Sequence, residues 1–229
     1  MADLIDTYIL GAYWGARAET LSDVASKALQ TLTELRETDE QFLKYYESAT
    51  SRKKALEKEV LLDQEHIRRL CVEFVRKGEL GADGFAKMGF LFGMWTGQKE
   101  GESCGIQFKV GHKFETPNLS NVCIINLPYE GSTRTRLLQQ EVSKRILGIL
   151  VKIWKPDYAV LTSTHLRDKL GVGNKIGWIT YRKTIKRAPR LGEGISYERD
   201  GSGHWFCAKT IGGSIEFVAK ELSLVKKVI

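Results

Sequence analysis

The sequence predicts a single α+β domain over residues 1–229, in which amphipathic helices pack on a mixed, largely antiparallel sheet. Tyr8–Trp14 is apolar on both faces, which is typical of a central strand. Residues 21–35 then carry apolar side chains at three-and-four spacing, as a helix lying on a sheet does. A central strand followed by the helix that covers it indicates a layered α+β architecture.

Four longer helices are predicted from apolar stripes at helical spacing: residues 21–35, 63–77, 133–154 and a closing helix that begins at residue 213 or 214. Thr20 or Ser22 can cap the first helix, and Asp63 can cap the second. Pro156 ends the third helix, because proline has no amide hydrogen for a helical bond. One further helical turn is predicted at residues 166–170.

Strands are predicted where apolar residues alternate with polar or small ones, or where a short apolar run lies between turn residues: 8–14, 85–96, 105–112, 122–127, 158–162, 177–183 and 204–211. A turn at residues 98–102 joins the second and third of these strands, which predicts an antiparallel hairpin. The run VCIINL at 122–127 is apolar enough to occupy a central position in the sheet.

The charge is divided unevenly along a chain that is long enough to fold as one domain. With 229 residues, of which 42% are hydrophobic, the chain can bury about 70% of its unfolded surface. Residues 1–100 carry 14 Lys/Arg against 17 Asp/Glu, whereas residues 101–229 carry 21 against 11. The net charge of +7 raises the question of nucleic-acid binding, but the basic residues are scattered, which argues against it. The densest basic group is typical of a solvated face, with phosphate binding as the alternative: Arg182, Lys183, Lys186, Arg187 and Arg190.

The start of the chain and the cysteines predict a cytoplasmic protein. Asp3 and Asp6 stand where a secretion signal needs basic residues, and no stretch approaches the roughly 20 apolar residues of a membrane helix. The four cysteines are scattered without a C-x-x-C pair, which favours buried free thiols in a reducing compartment.

No arrangement of residues typical of catalysis, of a cofactor or of a metal site is found, so we expect neither activity nor cofactor nor metal. The four histidines are isolated, and His112 with Glu115 is the nearest approach to a ligand pair. The G-x-S-x-G and P-loop patterns are absent. No lysine follows an acidic residue at the spacing (D/E)-x-K, which argues against a restriction-nuclease-like site. The five tryptophans are expected in the core, with an exposed aromatic interface as the alternative.

Two segments resemble a known family. The first is AYWGARAETLSDVA at residues 12–25, and the second is IGWITYRK at residues 176–183. In this order they resemble bacterial immunity protein family 52, whose members accompany restriction-endonuclease-like toxins of polymorphic and type VI secretion systems. Eight residues carry the resemblance, and we expect structural roles for them: Tyr13, Trp14, Gly15, Arg17, Glu19, Gly177, Trp178 and Tyr181.

The resemblance implies a cytoplasmic α+β protein without activity of its own that binds and neutralises a cognate nuclease toxin. An acidic segment next to aromatic residues is the predicted toxin interface, because charges speed association and exposed aromatics supply buried contacts. Its residues are Glu34, Glu37, Asp39, Glu40, Phe42, Tyr45, Tyr46 and Glu47. A solvated connector is the alternative for this segment. An enzyme with a dispersed active site and a nucleic-acid-binding protein remain the alternative functions, and homo-oligomerisation stays open.

Overall fold

The computed structural model describes residues 5–114, 121–171, 173–189, 191–226 and 229. Within them, eight strands form one sheet in the order β2-β3-β4-β1-β5-β6-β8-β7, and all neighbouring strands are antiparallel. The strands are β1 (Tyr8–Trp14), β2 (Phe90–Trp95), β3 (Gly105–Val110), β4 (Asn121–Asn126), β5 (Tyr158–Ser163), β6 (Ile179–Arg182), β7 (Ile195–Arg199) and β8 (His204–Ala208).

The helices of the described residues are α1 (Leu21–Arg36), α2 (Arg52–Leu56), α3 (Gln64–Val72), α4 (Gly131–Leu137), α5 (Gln140–Trp154), α6 (Thr164–Leu170) and α7 (Ile215–Lys226). A 3-10 turn, Glu40–Phe42, follows α1. Helices beside a continuous antiparallel sheet confirm the predicted α+β class.

The first strand lies at the centre of the sheet, as its two-sided apolarity predicts. It pairs with β4 on one side and with β5 on the other. Trp14 is buried, and its ring stacks on Trp154 of α5 with centroids 5.4 Å apart. The end of the strand therefore contacts the helical layer through this pair of stacked rings.

The start of α1 is determined by a capping box. Thr20 Oγ1 accepts a hydrogen bond from the Asp23 amide at 3.1 Å, and Asp23 Oδ2 accepts one from the Thr20 amide at 3.1 Å. Of the two capping residues considered from sequence, the structure therefore selects Thr20. Asp63 caps α3 as predicted, by accepting from the His66 amide at 2.8 Å.

The expected long helix at residues 133–154 is wrong, because the structure has two helices there. α4 ends at Leu137, and α5 begins at Gln140 after an extended Gln139 with ψ 133°. The Ser143 hydroxyl donates to the Leu137 carbonyl at 2.5 Å and so satisfies an acceptor at the break. No glycine or proline occurs at this break, and the apolar periodicity of the sequence continues across it. The sequence pattern therefore predicts one helix where the structure has two.

Other element bounds differ where the sequence pattern is weak. The second predicted helix ends at Val72 instead of residue 77, and the strand predicted at 85–96 begins only at Phe90. The short helix α2 is not among the helices that the sequence predicts. Strand β7 was not predicted, because only Ile195 of its five residues is buried, as is typical of a polar edge strand.

The two faces of the sheet are unlike in its β2–β3 half. Phe92 and Phe108 are buried on one face, where Phe108 contacts Trp154 of α5. On the opposite face, Leu91, Gln107 and Lys109 are exposed. The helices therefore cover one face of this half of the sheet and leave the other exposed.

Candidate partner-binding surface

The acidic segment lies between α1 and α2, and two of its aromatic residues are not available to a partner. Phe42 and Tyr45 are fully buried, and the Tyr45 hydroxyl donates to the Leu32 carbonyl at 2.9 Å. The expectation that these two rings are exposed is therefore wrong. Both rings lie on the core-facing side of the 3-10 turn and of the chain after it. This segment packs under α1 instead of projecting from it.

Asp39 and Glu40 share one basic partner. Asp39 accepts two hydrogen bonds from Arg136 of α4, from Nε at 2.7 Å and from Nη2 at 2.9 Å, while Glu40 lies 3.0 Å from Arg136 Nη1. Burial of Asp39 opposes its ionisation, but the Arg136 guanidinium and the Gln41 amide outweigh that effect and hold the pKa of Asp39 below its usual value. This ion pair ties the acidic segment to α4.

Glu34 and Glu47 are also paired with basic residues. Glu34 lies 2.8 Å from Lys152 Nζ of α5. Partial burial acts to raise the pKa of Glu34, yet its bonds from Lys152 and Gln30 leave that pKa below the usual value. Glu47 contacts Arg69 and lies 3.4 Å from His66 Nε2, both on α3. These carboxylates therefore stabilise contacts between elements of the chain itself.

Three candidate residues keep surface that a partner can reach. Glu37 and Glu40 are exposed, and the Glu37 carboxylate has no ion pair with a described residue. Tyr46 is half-buried, and its amide and carbonyl form a two-way bridge to Trp95 of β2, with distances of 2.8 and 3.0 Å. The segment thus presents a small acidic surface beside the end of β2, instead of a dense array of free carboxylates.

A groove begins where the Tyr46 bridge ends, and sequence reasoning missed it. Its volume is about 460 Å³, and it runs between β2 and the end of α3. Residues lining it include Glu47, Leu70, Glu73, Phe74, Leu91 and Trp95. The strand FLFGMW gave no signal by itself, because its six uncharged residues become unusual only when the folded sheet places them at an edge.

The first family-motif segment makes its contacts within the chain. The Gly15 amide donates to Asp157 Oδ2 at 2.9 Å, and Arg17 Nη2 donates to the Trp154 carbonyl at 2.6 Å. Arg17 Nε lies 3.4 Å from the buried carboxylate of Glu19, which also contacts Lys27. These bonds join the end of β1 to the ends of α5 and β5.

Tyr13 belongs to the same segment but points to the opposite face from Trp14. Its ring stacks on Tyr158 of β5 at 4.8 Å and lies over Gly11, whose missing side chain leaves the space for it. The two neighbouring aromatics of the motif therefore support both faces of the central strand.

The second family-motif segment is also packed internally. Trp178 is fully buried, and its Nε1 donates to Ser163 Oγ at 3.3 Å. The Tyr181 hydroxyl donates to the Ser202 carbonyl at 2.5 Å. The Gly177 amide donates to Thr180 Oγ1 at 3.0 Å. Together these residues hold β6 between β5 and β8.

Chemically reactive groups are dispersed through the described part of the chain. No cluster of three or more His, Cys, Asp or Glu residues there could hold a metal ion. The four cysteines are buried free thiols, and burial raises the pKa of Cys71 to about 12. Glu115, considered with His112 as a ligand pair, lies outside the described residues, as does Arg190 of the basic group. Lys183, Lys186 and Arg187 of that group are exposed.

None of the helices within the described ranges combines the length and apolarity needed to cross a membrane.

Comparison with known proteins identifies the family. The sequence model described as immunity protein 52 matches residues 6–197. The chain belongs to this family. Among solved structures, the Pseudomonas aeruginosa T6SS protein PA0821 is similar in fold, with a TM-score of 0.55 and 11% sequence identity. The similarity covers 97% of this chain and 76% of that protein. No curated protein matches the sequence.

Membership confirms the resemblance drawn from the two sequence segments and supports an immunity role. The matched range includes both family-motif segments, the acidic segment and the groove beside β2. It ends within β7, so β8 and α7 lie beyond it.

Proposed function

We propose that this chain is a non-catalytic immunity protein that binds and neutralises a cognate nuclease toxin of a type VI or polymorphic secretion system. The match of the immunity protein 52 model across residues 6–197 is the observation that carries the proposal. The nuclease nature of the toxin rests on the family resemblance. A nuclease meets its substrate in the cytoplasm, so this function places the chain there, where its four thiols stay reduced.

The proposed interface includes the accessible part of the acidic segment, namely Glu37, Glu40 and Tyr46. Glu34, Asp39 and Glu47 support that surface through their ion pairs with Lys152, Arg136 and Arg69. Because most of these carboxylates are already paired, the segment is a poor copy of a nucleic-acid backbone. We therefore favour inhibition by shape and local contacts over mimicry of the substrate, with the exposed charges of Glu37 and Glu40 speeding encounter.

Co-expression with the toxin encoded by the neighbouring gene tests the function. Cells that carry both proteins are expected to survive, and the two proteins are expected to elute together from a sizing column. Degradation of chromosomal DNA or RNA in cells that carry the toxin alone would identify it as a nuclease. Survival without a complex would instead indicate an enzyme that reverses the damage, and failure of both rescue and co-elution would overturn the immunity proposal.

A charge variant tests the acidic surface within that complex. The double change Glu37→Gln and Glu40→Gln should lower the association rate severalfold at low salt and have less effect at high salt, since exposed charges act at long range and are screened. The double change Asp168→Asn and Glu216→Gln is the matched control, because it also removes two charges, from carboxylates that are exposed and distant in sequence. An association rate equal to that of the wild type at every salt concentration would remove these two residues from the interface.

A further inference from the structure

Strand β2 forms one edge of the sheet, and part of that edge is unpaired. The amide and carbonyl of Trp95 bond to Tyr46 on the side away from β3. Backbone groups in an antiparallel strand alternate in direction, so the amides and carbonyls of Gly93 and Leu91 point the same way. Among the described residues, these groups of Gly93 and Leu91 have no hydrogen-bond partner. The Tyr46 bridge thus occupies one position of the edge and leaves the next two open.

The two edges of the sheet are protected differently. Strand β7, at the far edge, is exposed but carries Glu198 and Arg199, and charges of this kind discourage pairing with another chain. Strand β2 reads FLFGMW, with no charge and no proline. An uncharged edge with open backbone groups needs a partner to keep it from aggregation, and the groove beside it supplies the space.

Apolar side chains line the approach to the open edge. Phe74, just after α3, is 67% exposed, and Leu91 is 56% exposed, although both are large and apolar. Both line the groove, together with Leu70 of α3. Gly93 has no side chain because the backbone of β3 lies close to it, since a β-carbon there would be 2.9 Å from the Ile106 carbonyl oxygen. These features suit an extended segment whose alternate side chains are apolar.

The charges of the groove favour a partner that carries a cation. Glu47 and Glu73 are the charged residues that line it. Glu47 is already paired with Arg69, whereas exposed Glu73 has no ion pair with a described residue. The edge strand of a second copy of this chain carries no charged residue that could pair with Glu73. A segment with a lysine or arginine beside its apolar residues is therefore the better complement.

We infer that the bound toxin contributes an extended, alternately apolar segment with a basic residue, which adds to the free edge of β2 as a further strand. The inference rests on the proposed function, since it names the surface through which the toxin is held. Main-chain bonds to Leu91 and Gly93 provide the register, and the apolar walls at Phe74 and Leu91 select the side chains.

Proline at position 91 tests the pairing. Leu91→Pro removes the outward amide hydrogen while leaving the bonds to β3 intact, and edge strands accept proline at such positions. Binding of the neighbouring gene's toxin should weaken by about tenfold or more. Leu91→Ala keeps the amide and should weaken binding by less than about threefold. Arg199→Pro makes the equivalent change on β7 and should bind as the wild type does. Thermal melting checks that all three variants fold.

The outcomes separate this inference from the proposed function. Absence of toxin binding by the wild type would refute the function itself. Binding by the wild type and by Leu91→Pro with equal affinity would leave the function standing and overturn strand addition at β2.

Hydrogen exchange provides an independent readout that does not depend on a variant. The amides of Leu91 and Gly93 should exchange rapidly in the free protein and become protected in the complex, while those of β7 should not change. Protection that grows with the concentration of the free protein would assign the edge to a second copy of the chain and overturn the inference.

Discussion

Replacing Gly177 by alanine should destabilise the protein strongly, because the space beside its α-carbon is filled by main chain. A β-carbon at this position would lie 2.2 Å from the Leu161 carbonyl oxygen and 2.7 Å from Val160 Cγ2. Contacts under 3.0 Å are essentially never observed, so the groups would have to separate by about 0.8 Å. Gly177 is not among the residues with positive φ, so the cost arises from contact and not from backbone conformation.

The Leu161 carbonyl cannot readily move away. Leu161 lies in β5, paired with Leu10 of β1 on one side and with Ile179 of β6 on the other. A shift of its peptide would weaken bonds at the centre of the sheet. We therefore expect Gly177→Ala to lower the free energy of unfolding by about 3 kcal/mol, at the upper end of the usual cost of overpacking. For a protein of this length that corresponds to a fall in Tm of about 6–12 °C.

Replacing Gly148 of α5 by alanine provides the matched control, and it should change the free energy of unfolding in the opposite direction. A β-carbon at Gly148 would have no neighbour within 4 Å. Gly148→Ala should therefore raise the free energy of unfolding by about 1 kcal/mol, since alanine is the better helix former. Urea and thermal unfolding followed by circular dichroism measure both changes. A Gly177→Ala protein within about 0.5 kcal/mol of the wild type would refute the close approach of the loop before β6 to β5.

Further predictions concern the Asp39–Arg136 pair and the thiols. Arg136→Gln should lower the free energy of unfolding by about 1–2 kcal/mol at neutral pH, because it leaves the buried Asp39 carboxylate without its charged partner. The pair holds the pKa of Asp39 below its unfolded value, so it stabilises the fold above about pH 4. The destabilisation caused by Arg136→Gln should therefore disappear as the pH falls further. A difference in unfolding free energy between the variant and the wild type that persists in acid would contradict this. All four cysteines should resist a thiol reagent at pH 8 until denaturant is added, because burial raises each thiol pKa, that of Cys207 to about 11. One thiol that reacts at once in the native protein would contradict the burial.

Elements with strong local patterns were predicted well. The central position of β1, the hairpin of β2 and β3 and the cap at Asp63 all follow from residues close together in sequence. Two of the misjudged regions have a common cause. The break at Gln139 and the polar edge strand β7 depend on what packs against them, and periodicity does not record that.

The candidate surface shows the same division. The sequence brings acidic and aromatic residues together between Glu34 and Glu47, but it does not indicate which of them face the core. Phe42 and Tyr45 are buried because the chain passes beneath α1, and Asp39 is neutralised by Arg136, 97 residues away in sequence. Burial and ion pairing over such separations arise only when the sheet has formed.

By itself, the sequence determined the family, the α+β class and the apolar core, because local periodicity and two short motifs suffice for these. The tertiary structure alone decided which carboxylates remain free and that β2 lies at an edge, where the outward backbone groups of Leu91 and Gly93 bond to none of the described residues. Strand order is set by contacts between distant segments, and an uncharged strand such as FLFGMW reads equally as a central or as an edge strand. Only the neighbours of a strand in the folded sheet distinguish a buried central strand from an edge strand.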